Sequence, residues 1–163
     1  MIAATSALES LQALLIEAGR RRRLVSVTAP VEVSDPSATV FASRLAGDRW
    51  FCWEQPDRDG FALAALGSAH EVISRGPERF RDLVAACAEV TRGRLSDEPD
   101  RLPAGAGPIW VGGFAFGPDG GRVGQWSSFP PALLVMPELA LHRAAGRTHL
   151  TLSALAGPGA QPP

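Results

Sequence analysis

The sequence predicts an α+β domain built around an antiparallel sheet. Two segments have the apolar spacing of helices, and about seven have the β-branched or alternating pattern of strands. Most of the strand segments are separated by short turns rich in glycine, proline or aspartate, so neighbouring strands are expected to form hairpins. Because helices do not alternate regularly with strands, the pattern argues against a doubly wound parallel fold.

The two main helices are predicted near the N-terminus and in the middle of the chain. S-A-L-E at 6–9 fits a capping box, leucines follow at helical spacing, and Gly19 is a natural end. G-P-E at 76–78 opens the second helix and Gly93 ends it. A shorter helix is predicted over 38–45. The apolar face predicted for the second helix consists of Phe80, Leu83, Val84, Cys87 and Val90.

Strand patterns surround these helices. They cover residues 24–33, 48–54, 61–66, 109–116, 132–136, 138–142 and 147–155, and residues 69–74 extend again after a kink or turn at Gly67 and Ser68. The turn P-D-R-D-G at 56–60 predicts a hairpin between its flanking strands. Residues 94–108 are predicted as a polar connection, and residues 117–128 as a glycine-rich loop. A two-residue turn at Ala145 and Gly146 would place His142 directly opposite His149 in the last hairpin.

Length and charge restrict the class of protein. The 163 residues suffice for one core, so we predict a single domain over 1–156 and a Pro/Gly-rich tail or truncated linker over 157–163. The net charge of −1 gives no overall field for nucleic acid. The arginines at 20–23 are interpreted as a solvated run after a helix. The apolar runs are too short to span a membrane, and nothing resembles a signal peptide, so a cytoplasmic protein is expected.

The residue types limit the available chemistry. There is no lysine and no tyrosine, which removes Schiff bases, a lysine general base and phenolic acids. Cys52 and Cys87 lie in apolar stretches and are interpreted as buried free thiols, although sequence alone leaves a disulfide open. Asp57 and Asp59 flank a turn, and the carboxylates at 97, 98 and 100 lie in a polar connection. Their spacing assembles no catalytic triad or carboxylate pair.

Two further patterns are candidate sites. The His142–His149 pair could hold a metal, but it has no evident third ligand, so the polar face of a half-exposed hairpin is the preferred interpretation. The glycine-rich segment at 110–124 lacks the strand–helix context of a phosphate-binding loop. Gly112 and Gly113 are therefore interpreted as a close backbone approach within a strand. No catalytic, cofactor-binding or metal-binding residue is assigned.

Several segments, taken in order, resemble the N-terminal portion of isochorismate synthase, a chorismate-utilising enzyme. They are F-C-W-E-Q-P at 51–56 with G-F-A-L-A-A-L-G at 60–67, G-P-E-R-F at 76–80, W-V-G-G-F-A-F at 110–116, W-S-S-F-P at 126–130 and L-L-V-M-P-E-L at 133–139. V-E-V-S at 31–34 stands where the amine-forming relatives typically carry L-L-E-S. G-G-F-A-F at 112–116 likewise differs from their G-G-x-x-G-Y. The resemblance therefore favours isochorismate synthase, or a related salicylate synthase, over those enzymes.

The resemblance implies a layered α+β fold and an activity that this chain does not carry by itself. Family members are more than twice as long, and their C-terminal half supplies a lysine base, a glutamate acid and carboxylates for Mg²⁺. None of these roles can be carried over to a residue of this chain. We therefore expect an inactive scaffold portion that binds no Mg²⁺ and whose partner is a separate chorismate-binding half. The alternatives are a non-catalytic binding or regulatory module, and a fragment of a related salicylate- or anthranilate-type synthase.

Overall fold

The computed structural model describes residues 2–118, 120 and 124–157, which contain three α-helices and nine strands. The helices are α1 (Ile2–Ala18), α2 (Pro36–Ser43) and α3 (Arg79–Thr91), with a 3₁₀ turn at Gly124–Trp126. The strands are β1 (Arg23–Val31), β2 (Trp50–Gln55), β3 (Phe61–Leu66), β4 (His70–Ser74), β5 (Leu95–Asp97), β6 (Val111–Phe114), β7 (Ala132–Met136), β8 (Leu139–Ala144) and β9 (Arg147–Ala156). The predicted α+β class is confirmed. The predicted 1–156 domain boundary stays a prediction, and the tail lies outside the described residues from 158 onward.

The strands form two sheets. The larger sheet has the order β2-β3-β8-β9-β1-β5, and the smaller sheet has the order β4-β7-β6. All pairs are antiparallel except the one between β1 and β5. The three-residue strand β5 lies inside the predicted polar connection, where its short L-S-D sequence carries no alternating pattern. No helix in the described ranges is long and apolar enough to cross a membrane.

One face of the large sheet carries the main core. Val25, Val27, Ala64, Leu141 and Leu150 lie on this face, and α1 and α2 cover it. Burial of these apolar side chains is the main term that stabilises the sheet. The opposite face differs in character, because alternate residues of β1 and β9 place serines and threonines there.

The helix boundaries correct two predictions. α1 is already helical at Ile2, so Ser6 lies within the helix and the predicted capping box does not cap it. α3 begins at Arg79 rather than next to Pro77. By contrast, α2 begins in the manner expected of a helix, because the Asp35 side chain accepts a hydrogen bond from the Ala38 amide and Pro36 occupies the first turn.

The predicted apolar face of α3 is only half buried. Leu83 and Cys87 pack against β4 and β7 in a small second core, whereas Phe80 and Val84 are exposed. One side of the predicted apolar face of α3 therefore remains at the surface.

Candidate functional site

The histidine pair has the predicted register. β8 and β9 pair with His142 opposite His149, and with Leu141 opposite Leu150 on the other face. Ala145 and Gly146 both have positive φ, at 49° and 73°, as a two-residue type I′ turn requires. The turn therefore sets the register that the sequence pattern predicts.

The predicted exposure of this pair is wrong. His142 is 2% exposed and His149 8%. The connection before β6 lies against the His142 ring, since a Cβ on Gly105 would stand 2.9 Å from His142 Nε2. The Phe61 ring contacts the same imidazole edge-on, with centroids 5.4 Å apart. A loop that sequence reasoning treats as a solvated connection therefore covers the His142 ring.

Together with its neighbours the pair forms a buried polar layer, consisting of Ser26, Thr28, His142, His149, Thr151 and Ser153. The Thr28 and Thr151 hydroxyls are hydrogen-bonded at 3.1 Å. Within the described part of the chain, neither nitrogen of His142 nor Nδ1 of His149 has a hydrogen-bond partner. Burial lowers the pKa of both histidines, and each is lowered further by a neighbour, His149 for His142 and Arg147 for His149. Both imidazoles are therefore neutral near pH 7.

The layer places no third histidine, cysteine or carboxylate beside the two histidines. No group of three or more His, Cys, Asp or Glu side chains suited to a metal ion exists among residues 2–118, 120 and 124–157. The carboxylates that Mg²⁺ requires are also absent from the buried polar layer, whose members are serines, threonines and histidines. These residues do not fit the Mg²⁺ site of a chorismate-utilising enzyme.

The buried histidines predict acid sensitivity. Their pKa is near 6.5 in the unfolded chain and lower in the folded one, so the unfolded state binds more protons between these values. Stability should be complete above about pH 7 and should fall as the pH drops through 6.5 toward the folded pKa. Urea unfolding midpoints between pH 8 and 5 measure this loss. Burial also lowers the pKa of His70, which adds to the same decline. A His142→Leu, His149→Leu double variant should therefore lose the part of the decline that the pair contributes, and an equal decline in that variant would contradict the assignment.

A large groove opens on the apolar face of the main sheet. Its volume is about 1340 Å³. It lies between the start of α1, helix α2 and the ends of β1, β8 and β9. Leu66, Leu139, Leu141 and Leu150 contribute to its apolar lining, and Glu32 and Arg147 supply charges. Such a groove can accept an apolar group, but no cluster of catalytic residues lines it.

The other predicted candidates are separate from one another. Asp57 and Asp59 are exposed on the β2–β3 turn, and Asp59 has a positive φ of 51°. Glu98 is 3.2 Å from Arg94 in an ion pair.

Cys87 is buried, which raises the pKa of its thiol, whereas Cys52 is only half buried, in contrast to the prediction. Both thiols are free.

The two adjacent glycines, Gly112 and Gly113, have different surroundings. A Cβ on Gly112 would overlap the Leu133 carbonyl oxygen and stand 3.0 Å from Leu134 Cα, so the predicted close approach is confirmed there. A Cβ on Gly113 would meet none of the described atoms within 4 Å. The predicted close approach is therefore shown at Gly112, whereas none of the described atoms produces one at Gly113.

Arg79 is a buried residue that sequence reasoning does not single out. It is 4% exposed, and its guanidinium donates hydrogen bonds to the carbonyls of Ala115 (3.1 Å), Phe116 (3.3 Å) and Gly76 (3.4 Å). Its Cζ lies 4.3 Å from the centre of the Phe80 ring. Arg79 thus ties the start of α3 to the segment after β6. An arginine at a helix start gives no sequence signal for such a role.

The α+β fold and the separate environments of these residues can now be set beside known proteins. A family model described as a chorismate binding enzyme matches residues 8–162, so the chain belongs to this family. Among solved structures, MenF, the menaquinone-specific isochorismate synthase from Escherichia coli, is similar with a TM-score of 0.50 and 17% sequence identity. The match covers 94% of this chain and 29% of that one, and at this identity it shows the fold alone. No curated protein matches the chain.

Proposed function

We propose that the chain is the N-terminal scaffold portion of an isochorismate synthase, which converts chorismate to isochorismate. One observation carries this proposal: the family model matches nearly the whole chain, while the chain spans only 29% of the similar isochorismate synthase structure. The chorismate-binding half is proposed to lie on a separate polypeptide or further along the same one.

The residue chemistry agrees with a scaffold role. Moving a hydroxyl around the chorismate ring requires a base that activates water and an acid that protonates the leaving hydroxyl. The chain has no lysine, and its two paired histidines are buried, with the loop at Gly105 lying against the His142 ring. The residues of this chain would instead form the sheets against which a catalytic portion packs.

The assembled enzyme would act in the cytoplasm, in menaquinone or siderophore synthesis. Mg²⁺ would be held by the catalytic portion, because the residues described for this chain offer no carboxylate cluster. Neither nucleic acid nor a membrane is proposed as a partner.

A second candidate function is favoured by the groove. A cavity of about 1340 Å³ lined by leucines and two opposite charges suits a non-catalytic module that binds a small amphipathic ligand. A fragment of a related salicylate- or anthranilate-type synthase would share the same fold. The product that the complete enzyme forms from chorismate distinguishes this alternative from the first proposal.

Chorismate turnover by the purified chain tests the proposal first. With chorismate and Mg²⁺ present, the chain alone should form no isochorismate above the uncatalysed background. The matched control is a known complete isochorismate synthase in the same buffer. Turnover by the chain alone would overturn the scaffold assignment.

A further inference from the structure

The large sheet ends at an open strand that carries exposed tryptophans. In the order β2-β3-β8-β9-β1-β5, strand β2 pairs with β3 on one side and with none of the described strands on the other. Trp50 and Trp53 are 46% and 53% exposed, and the Phe41 ring of α2 contacts the Trp50 ring edge-on. We call strand β2 together with Phe41 and Arg44 the β2 edge. Exposed aromatic rings beside an unpaired strand are typical of a surface that binds another chain.

The backbone groups of β2 alternate between the sheet and the open side. The Gly67 amide donates a hydrogen bond to the Arg49 carbonyl, so every second residue from Arg49 onward exchanges hydrogen bonds with β3. Trp50, Cys52 and Glu54 therefore present both their N–H and their C=O groups at the open side. None of the three is a proline, so a neighbouring strand can pair with all of them.

The β2 edge also carries two opposite charges that lack ion-pair partners. Glu54 is exposed and Arg44 is half-buried, and neither forms an ion pair with another of the described residues. The Arg44 guanidinium lies over the rings of Phe41 and Trp50, with its Cζ 5.1 Å from the centre of the Trp50 ring. Trp50 and Glu54 point to the same face of the sheet, because they are four positions apart in one strand. The two charges therefore stand at opposite ends of one face.

A second copy of the chain is complementary to this edge. A two-fold axis at Cys52 places Cys52 opposite its own copy and Trp50 opposite Glu54 of the second copy, in an antiparallel pair. All three outward-facing residues of each strand then exchange backbone hydrogen bonds. Glu54 of each copy lies beside Arg44 of the other, because Arg44 covers the Trp50 ring. The unpaired charges of the edge complement each other across the axis.

Other registers are less favourable. An axis at Trp53 sets Trp50 opposite Pro56, which has no N–H to donate. An axis at Phe51 sets Glu54 opposite Asp48, which is a like charge. The axis at Cys52 avoids both conflicts and sets Phe51 opposite Trp53 as an aromatic pair on the other face.

We propose that two copies of this chain associate through the β2 edge, by antiparallel pairing of β2 with β2 about a two-fold axis at Cys52. The two six-stranded sheets then form one continuous sheet across the axis. Backbone hydrogen bonds supply affinity, and the Arg44–Glu54 contacts select the register. This inference does not rest on the proposed function.

Oxidation of Cys52 tests the register. Directly opposed residues in a hydrogen-bonded antiparallel pair have Cα atoms about 5.5 Å apart, which a disulfide can span. Copper phenanthroline added to the purified chain should give a covalent dimer on a non-reducing gel, and peptide mass spectrometry should identify a Cys52–Cys52 linkage. Cys87→Ser should keep this dimer, and Cys52→Ser should lose it.

Sedimentation equilibrium measures the association itself. Cys52→Pro should raise the dimer dissociation constant at least about tenfold, because proline removes the central donor of each strand and breaks no hydrogen bond to β3. Glu54→Arg should weaken the dimer in the same direction by placing two guanidinium groups together, and a further Arg44→Glu should restore most of the affinity. Ile16→Ser removes an 82% exposed apolar side chain from α1 and is the matched control, with an unchanged constant.

Circular dichroism and urea unfolding of each variant confirm that it is folded, and Glu54→Arg keeps the test valid if Cys52→Pro does not fold. A Cys52-linked dimer together with recovery in the charge-swapped variant supports the proposal. A chain that stays monomeric overturns it. A dimer that neither Cys52→Pro nor Glu54→Arg weakens lies elsewhere on the surface and also overturns it. Binding of the chorismate-binding polypeptide in place of the second copy, with the same sensitivity to Cys52→Pro, would assign the edge to that polypeptide and contradict the proposal.

Discussion

Replacing Gly112 with alanine should destabilise the chain by about 2–3 kcal/mol. The added methyl group would overlap the Leu133 carbonyl oxygen, which belongs to the backbone of β7 and cannot rotate away. Relief requires that β6 move away from β7, which weakens the pairing between them. Because β7 also carries Ala132 and Leu134 of the second core, the loss extends beneath α3.

Gly113→Ala is the matched control for this change. The same methyl group enters open space, and alanine restricts the unfolded chain more than glycine, so this variant should be neutral or about 0.5–1 kcal/mol more stable. Urea unfolding of both variants followed by circular dichroism measures the difference. Equal stabilities of the two variants would contradict the close pairing of β6 with β7 at Gly112.

Arg79→Ala should cost about 2–4 kcal/mol. The substitution removes three hydrogen bonds to backbone carbonyls, leaves the space of a buried side chain and ends the contact with the Phe80 ring. We expect the segment after β6 to separate from α3, with faster amide hydrogen exchange at residues 115 and 116.

Arg81→Ala serves as the control in the same helix. The Arg81 side chain is 73% exposed and pairs with the exposed carboxylates of Glu78 and Asp82, so its loss should change stability by less than about 0.5 kcal/mol. Thermal unfolding of both variants gives the comparison. A loss for Arg79→Ala no larger than that for Arg81→Ala would show that the buried guanidinium does not hold this region.

The sequence predicts most accurately those parts of the fold that local rules determine. The β8–β9 register follows from the two-residue turn at Ala145 and Gly146. With this turn, the leucines of β8 lie opposite the leucines of β9 on one face of the sheet. Strand β3 likewise has the bounds that its sequence pattern predicts. In both cases the hydrophobic alternation and the turn chemistry agree.

Features that depend on distant packing are not predictable in this way. Nothing near His142 in the sequence indicates that Gly105 lies against its ring, so the sequence does not reveal its burial. The three residues of β5 pair with β1 in parallel across about seventy positions of chain, which no local pattern reports. The predicted start of α1 is also wrong, because an S-x-x-E pattern occurs inside helices as well as at their ends.

The candidate site is harder to predict than the fold. The sequence contains no lysine, so the lysine base that the resemblance implies cannot be assigned to any residue of this chain. The different roles of Gly112 and Gly113 are visible only from the surroundings of each residue, because adjacent strand positions point to opposite faces. The anchoring role of Arg79 depends on the position of the segment after β6.

The rate of isochorismate formation from chorismate with Mg²⁺ tests the central claim most directly. It should be measured for the chain alone, for the chorismate-binding polypeptide alone and for their equimolar mixture. We predict background turnover for the chain alone and a clear gain for the mixture over the catalytic polypeptide alone. Turnover by this chain alone, or a mixture no faster than the catalytic polypeptide by itself, would contradict the assignment as a scaffold portion.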